Sequence, residues 1–183
     1  MSKNVRRVVT GHNAQGRSCF ISDGPPSLVR ERHPGSTIVA ELWRTQQTPA
    51  DNSDASDHTD EPYRLTPPAN GSVLRIITYP PDSMRLGVLE RERAETAHED
   101  ASRAAALDKG NPRHPGFHKT DTIDYAIVLS GEIYALMDEG ETLLRAGDVL
   151  IQRGTNHAWS NRTQENAVLA FVLVDAEPLE RPA

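Results

Sequence analysis

The last third of the chain is a succession of short apolar segments separated by turn residues. Each segment is only a few residues long and is rich in β-branched or aromatic residues, and Gly, Asp or Asn residues separate one segment from the next. Many short strands at close spacing are typical of an antiparallel sandwich or barrel. The sequence therefore predicts an all-β fold with strands at residues 122–129, 132–137, 141–144, 148–152, 157–160 and 167–174.

The chain before these strands has fewer apolar residues and more turn and loop signals. A strand is predicted at residues 73–79, because the segment is β-branched and Pro80-Pro81 ends it. Three earlier β-like segments lie at residues 5–9, 18–22 and 37–45, and the polar stretch 46–71 reads as an exposed loop. Residues 89–109 are rich in Glu, Arg and Ala, which favours a short solvated helix or a mobile segment. We therefore divide the chain into an N-terminal arm (1–72), a barrel (73–176) and a tail (177–183).

Length and charge exclude several classes of protein. A chain of 183 residues fits one domain that can bury its own core. The formal net charge of −6 disfavours nucleic-acid binding, since there is no excess of basic residues to attract phosphates. No apolar run reaches the roughly 20 residues of a spanning helix, and the N-terminus lacks the apolar segment of a signal peptide. We expect a cytoplasmic protein that does not bind membranes, with its lone Cys19 a small buried side chain.

Polar residues stand at alternate positions where the strand at 122–129 begins. Residues two apart on a strand face the same side, so His118, Thr120, Thr122 and Asp124 are predicted to share one face. About forty residues later, His157 follows a glycine turn at the start of another predicted strand. Two imidazoles and one carboxylate suit a divalent metal such as iron, zinc, manganese, nickel or copper, and leave coordination positions open.

This pattern resembles the two sequence motifs of the cupin superfamily. The first motif has two histidines, a glutamate and a glycine, and their places are taken here by His118, Thr120, Asp124 and Gly131. The second motif runs from a glycine to a histidine and an asparagine, and it is followed, one residue shorter near its start, by Gly147, Gln152, Gly154, His157 and Asn161. The resemblance implies a double-stranded β-helix, or jelly-roll, barrel with an N-terminal strand extension.

Three departures from the motifs bear on the metal. Thr120 replaces the second histidine, Asp124 replaces the longer glutamate, and Gln152 stands at a proline position. A neutral threonine hydroxyl is a poor metal ligand, so the resemblance implies a reduced ligand set of His118, Asp124 and His157. His114 is a further candidate for the missing imidazole. A site without metal, in which Asp124 is a buried hydrogen-bonded carboxylate, is the alternative.

The fold alone does not name a reaction. The first hypothesis is a metal-dependent enzyme on a small oxygenated organic compound, an isomerase, a decarboxylase or lyase, or a dioxygenase, with Fe, Mn, Zn or Ni as the cofactor. Thr120, Asp124 and Arg153 are its candidate catalytic residues, and Arg153 would bind a substrate carboxylate. The second hypothesis is a metal-free barrel that binds a small molecule without catalysis. The resemblance also implies a homodimer in which N-terminal strands pack against the partner's sheet.

Overall fold

The computed structural model describes residues 5–99, 101–108 and 110–179, so the first four residues of the predicted arm and the last four of the predicted tail lie outside it. The described residues form eleven strands and two helices, with a one-turn 3₁₀ helix at His58–Asp60. In chain order these are β1 (Arg7–His12), β2 (Ser18–Gly24), β3 (Leu28–Glu31), β4 (Ile38–Thr45), β5 (Ser72–Tyr79), α1 (Asp82–Glu99), α2 (Ala101–Ala106), β6 (Thr122–Ser130), β7 (Glu132–Met137), β8 (Glu141–Arg145), β9 (Val149–Arg153), β10 (His157–Ser160) and β11 (Ala167–Asp175).

The strands form two main sheets and a separate hairpin. The larger sheet has the order β3-β4-β5-β11-β6-β9, the smaller one has the order β10-β7-β8, and β1 and β2 form a two-stranded sheet. Neighbouring strands in all three sheets are antiparallel. The predicted all-β barrel of the jelly-roll type is confirmed. The structure also draws β3 and β4, from the predicted arm, into the larger sheet.

The core lies between the inner faces of the two main sheets. Side chains of the large sheet, among them Val128, Leu169 and Phe171, pack against Ile133 and Trp159 of the small sheet. Strand β6 shows why the sequence folds this way, since its residues alternate between buried and exposed along the whole strand. Such an alternation gives a sheet one face toward the core and one toward solvent.

The turn between β6 and β7 requires a glycine. Gly131 has a φ of 73°, in the left-handed region that other residues rarely adopt. A Cβ atom at this position would lie 2.8 Å from the backbone oxygen of Asn166. The motif glycine therefore allows two strands to turn close to the start of β11.

The helical region is longer than predicted. Helix α1 begins at Asp82, directly after the prolines that end β5, whereas the sequence predicted a helix only from residue 89. Leu89 and Glu92 on α1 are buried, so the helix packs against the barrel and is not fully solvated. Neither of the two helices among the described residues has the length and apolar character needed to cross a bilayer.

Candidate functional site

The two motif histidines lie opposite each other at the mouth of the barrel. The backbone N–H of His118 donates to the His157 oxygen at 2.9 Å, and the His157 N–H donates back to the His118 oxygen at 3.0 Å. This isolated antiparallel bridge places the two imidazole rings with their centroids 4.3 Å apart. The structure thus brings His118 and His157 into direct contact.

Backbone carbonyls fix the orientation of both rings. The Nδ1 atom of His118 lies 2.9 Å from the Gly116 oxygen, and Nδ1 of His157 lies 2.9 Å from the Thr155 oxygen. Because a carbonyl oxygen only accepts hydrogen bonds, each Nδ1 carries a proton, and in a neutral ring the lone pair is then on Nε2. Burial, together with the neighbouring His118, lowers the pKa of His157 to about 3, so this ring is neutral at physiological pH.

Asp124 is buried on the inward face of β6. It is 5% exposed, and burial raises the pKa of its carboxyl to about 6. A hydrogen bond from Thr122 lowers this pKa, but its effect is smaller than that of burial. The Thr122 hydroxyl in turn contacts the Thr120 hydroxyl at 2.8 Å. The predicted common face of Thr120, Thr122 and Asp124 is present, and all three are buried. The Asp124 Oδ1 atom is buried and has no hydrogen-bond partner in the part of the chain that the structure describes.

These residues do not form the predicted three-residue metal centre. Within residues 5–99, 101–108 and 110–179, no group of three or more His, Cys, Asp or Glu side chains is close enough to hold a metal ion. His118 and His157 converge, but Asp124 engages Thr122 and the charge of Arg75. The aspartate side chain is also one methylene shorter than the glutamate of the family motif. Metal binding itself stays a prediction.

A cavity of about 140 Å³ connects the histidine pair with Asp124. Apolar side chains of both sheets form much of its wall, including Trp159, Phe171 and Leu173, and Leu89 of α1 contributes from the opposite side. The charged and titratable residues that line it are Arg30, Arg32, Arg75, Arg85, Glu92, His118, Asp124 and His157. The cavity therefore combines an apolar body with several polar groups, as small-molecule sites do.

Two predicted site residues lie away from this cavity. Arg153 is exposed on β9, paired with Ile123, whose side chain is also exposed, and it is not part of the cavity wall. The expectation that Arg153 binds substrate is therefore wrong for this cavity, because alternation on β9 turns Gln152 inward and Arg153 outward. Thr120 is buried but does not line the cavity, so it reaches the site only through Thr122.

His114 also lies outside the cavity wall. Its Nδ1 atom accepts the Gly116 N–H at 2.9 Å. Its buried Nε2 atom lies 3.9 Å from Asp82 and has no hydrogen-bond partner among the residues described. Burial lowers the pKa of His114 to about 4, which keeps the ring neutral. His114 supports the loop before His118 and does not supply the third imidazole in this structure.

The arginines of the cavity wall were not predicted from the sequence. Arg75 stands between apolar residues on β5, with Val73 and Tyr79 on the same buried face. A charged residue at an inward position of a predicted strand could therefore have indicated a polar site. Arg85 comes from the first turn of a helix that the sequence placed later in the chain. Arg30 lies on the short strand β3, which no pattern indicated.

Comparison with known proteins places these features in a family. The cupin domain family matches residues 106–174 of the chain. Phomopsin biosynthesis cluster protein C' of Diaporthe leptostromiformis is 32% identical, and the alignment covers 97% of this chain and 82% of that protein.

Two further fungal relatives are similar over most of their length. The cupin-domain-containing oxidoreductase virC of Hypocrea virens is 26% identical, with 94% of this chain and 77% of that protein covered. The cupin-domain-containing oxidoreductase fogC of Aspergillus ruber is 28% identical, with 93% of this chain and 72% of that protein covered.

Proposed function

The chain belongs to the cupin superfamily, and from that premise we propose that it is an enzyme that acts on a small organic molecule bound in the cavity beside His118, His157 and Asp124. The observation that carries the proposal is the buried Oδ1 atom of Asp124, which has no hydrogen-bond partner among the described residues and belongs to a residue of the cavity wall. An unsatisfied buried acceptor is costly in a folded protein unless a ligand uses it. The names of the relatives, which belong to biosynthesis clusters and oxidoreductases, support enzymatic work on small molecules.

The two kinds of titratable group have different parts in this reaction. Asp124, with a pKa of about 6, exchanges protons near physiological pH and is the general acid or base. His157, with a pKa of about 3, is too weak a base to remove a proton at that pH, and its Nε2 accepts a hydrogen bond that orients the substrate. Trp159 and Phe171 exclude water from the same space.

The test is a comparison of metabolite conversion by matched variants. Purified protein is incubated with a small-molecule extract of its source organism, and the mixture is followed by liquid chromatography and mass spectrometry. We expect the wild type to convert one or more compounds of the extract. Asp124→Asn should convert the same compounds at least about a hundredfold more slowly, since general acid–base catalysis contributes on that order. Asp121→Asn, at an exposed position three residues away, serves as the control and keeps wild-type activity.

Two results would contradict the proposal. Equal conversion by the wild type and Asp124→Asn would remove Asp124 from the chemistry. A wild type that converts nothing, but binds a compound of the extract in the cavity, would leave a barrel that binds small molecules without catalysis.

A metal-dependent oxidoreductase is the second candidate function. It is favoured by the two adjacent imidazoles, whose ring centroids lie 4.3 Å apart and whose Nδ1 atoms are oriented by backbone carbonyls. Imidazoles are common ligands of iron, manganese, zinc and nickel. Elemental analysis after reconstitution with each metal tests it. A near-stoichiometric ion that is lost in His118→Ala and His157→Ala would support this candidate, and no retained metal in the wild type would contradict it.

A further inference from the structure

The cavity wall carries more positive than negative side chains. Four arginines line it, at Arg30, Arg32, Arg75 and Arg85, and the carboxyl groups that line it belong to Glu92 and Asp124. Inside a protein, charges without partners are expensive, so each guanidinium in such a wall is expected to have a partner.

Three of these arginines have partners within the protein. Arg75 is 3.3 Å from the Glu41 carboxylate and donates to the backbone oxygens of Arg64 and Leu65. Arg85 donates to Asp82 at 3.0 Å and to the Trp159 backbone oxygen at 2.6 Å.

Arg32 has a carboxylate partner as well. Its Nη2 atom lies 3.5 Å from the Glu95 carboxylate on α1. The positive charges of Arg32, Arg75 and Arg85 are thus each met by an acidic side chain of the chain itself.

Arg30 differs from the other three. Its guanidinium carbon lies 5.1 Å from the centre of the Tyr63 ring, on which it is held as a cation–π pair. In the described part of the chain, no carboxylate forms an ion pair with it, although it is half-buried and part of the cavity wall. Stacking on an aromatic ring holds the planar guanidinium in place and leaves its N–H edge to bind an anion.

We propose that the cavity recognises a small organic molecule with a single carboxylate group, which Arg30 binds, while Asp124 at the other polar end accepts a hydrogen bond from a hydroxyl or N–H group of the same molecule. Arg30, for which no ion pair is found among the described residues, would match one negative charge of a ligand. The apolar wall around Leu89, Phe171 and Leu173 holds the carbon skeleton between the two ends. This inference rests on the proposed function, whose substrate class it names.

Binding of matched acid and amide pairs tests the inference without requiring turnover. Isothermal titration calorimetry is run with benzoate and benzamide, phenylacetate and phenylacetamide, cinnamate and cinnamamide, and hexanoate and hexanamide. We expect at least one acid to bind the wild type about tenfold or more tightly than its amide, the effect of a charge-assisted hydrogen bond. Arg30→Gln abolishes this preference, and Arg17→Gln, at an exposed position of the hairpin turn, keeps it.

The outcomes separate this inference from the proposed function. Thermal unfolding of Arg30→Gln first verifies that the variant is folded. Equal affinity for acid and amide, an unchanged preference in Arg30→Gln, or no binding of any pair would overturn the inference. An Arg30-dependent preference for the acid, together with conversion that does not depend on Asp124, would overturn the proposed catalytic function and leave the carboxylate site in place.

Discussion

Charged side chains at inward positions of strands are the feature that most distinguishes this barrel at the scale of single residues. Glu41, Arg44 and Arg75 are almost fully buried and form a connected ion-pair cluster beside the cavity. The cluster is buried because Glu41 and Arg75 are directly paired across β4 and β5. A buried ion-pair network is a poor source of stability but a precise means of fixing side chains. Here it fixes the part of the cavity wall that Arg75 forms.

Asp124→Asn is predicted to stabilise the fold at alkaline pH. Burial raises the folded-state pKa from the usual 3.8 to about 6, so between these values only the folded chain holds the proton. The free energy of unfolding contributed by this group therefore falls as pH rises through that window and stays reduced above it. Urea unfolding should show a gain of up to about 3 kcal/mol for the variant at pH 8 and almost none at pH 4. A variant less stable than the wild type at pH 8 would contradict this.

Asn161→Ala is predicted to destabilise the barrel strongly. The buried amide of Asn161 donates to the backbone oxygens of Tyr79 and Glu165, at 2.9 and 2.7 Å, and its oxygen accepts from Thr163. Removing it leaves several buried backbone groups unpaired, at a cost of about 2 to 4 kcal/mol. Chemical denaturation measures this loss, with Asn52→Ala in the exposed loop as the control. A loss of stability no larger than that of the control would show that the barrel does not depend on Asn161.

The sequence predicted some site residues and missed others for physical reasons. His118, Asp124 and His157 were predicted because strand alternation and motif spacing are local properties. The position of the Asp124 carboxyl, beside Thr122 and the charge of Arg75, is not encoded by motif spacing. Arg30 was missed because its place in the cavity wall, stacked on Tyr63, arises only when β3 joins the larger sheet.

Helix α1 closes one side of the cavity at the scale of secondary structure. Its first residue is tied to the strand end at β10, since Asp82 accepts from the Ser160 hydroxyl at 2.6 Å and its N–H donates to the Asn161 oxygen. Farther along the helix, Glu95 contacts His33 at 2.7 Å and Arg32 at 3.5 Å, next to β3. The helix is therefore held near both ends against the cavity.

Glu95→Gln is predicted to loosen this cover. The substitution weakens the ion pairs that join α1 to the segment after β3, so the backbone amides of α1 should exchange faster with deuterium. Hydrogen exchange followed by mass spectrometry measures the change, with Glu90→Gln on the exposed side of the same helix as the control. Equal exchange in the two variants, or faster exchange spread over β6 and β11, would show that Glu95 does not hold the helix in place.

The elements themselves were predicted unevenly. Strands β6 to β11 were predicted to within about two residues, because each has a strong apolar pattern bounded by turn residues. Strand β3 was missed because it has four residues, two of them charged. The predicted start of helix α1 was too late in the chain. Its first turns follow directly after two prolines and pack on the barrel, but they lack the apolar spacing that indicates a helix.

Two exposed apolar surfaces suggest an assembly at the scale of the whole molecule. The hairpin of β1 and β2 exposes Phe20 at 75% and Ile21 at 46%. The outer face of β6 and the edge strand β9 exposes a second group: Ile123, Tyr125, Val149 and Ile151. Exposed apolar faces next to a sheet edge are typical of protein interfaces.

We therefore predict that the chain is a homodimer in which the hairpin of one copy covers the outer face of β6 and β9 of the other. Size-exclusion chromatography with light scattering should give twice the mass of 20.2 kDa. Phe20→Ser and Val149→Ser should each shift the protein toward the monomer, and Arg17→Gln should not. A monomeric wild type would contradict the prediction.

The central claim is that the cavity between α1, the histidine pair and Asp124 is the ligand site, and a crystal structure with a bound compound tests it most directly. The compound is one that the wild type converts or binds. The account predicts its density in the cavity, with a hydrogen bond to the Asp124 Oδ1 or the His157 Nε2 atom and an acidic group beside Arg30. Density elsewhere, such as the cleft between the hairpin and residues 50–58, with the cavity filled by side chains or water, would contradict it.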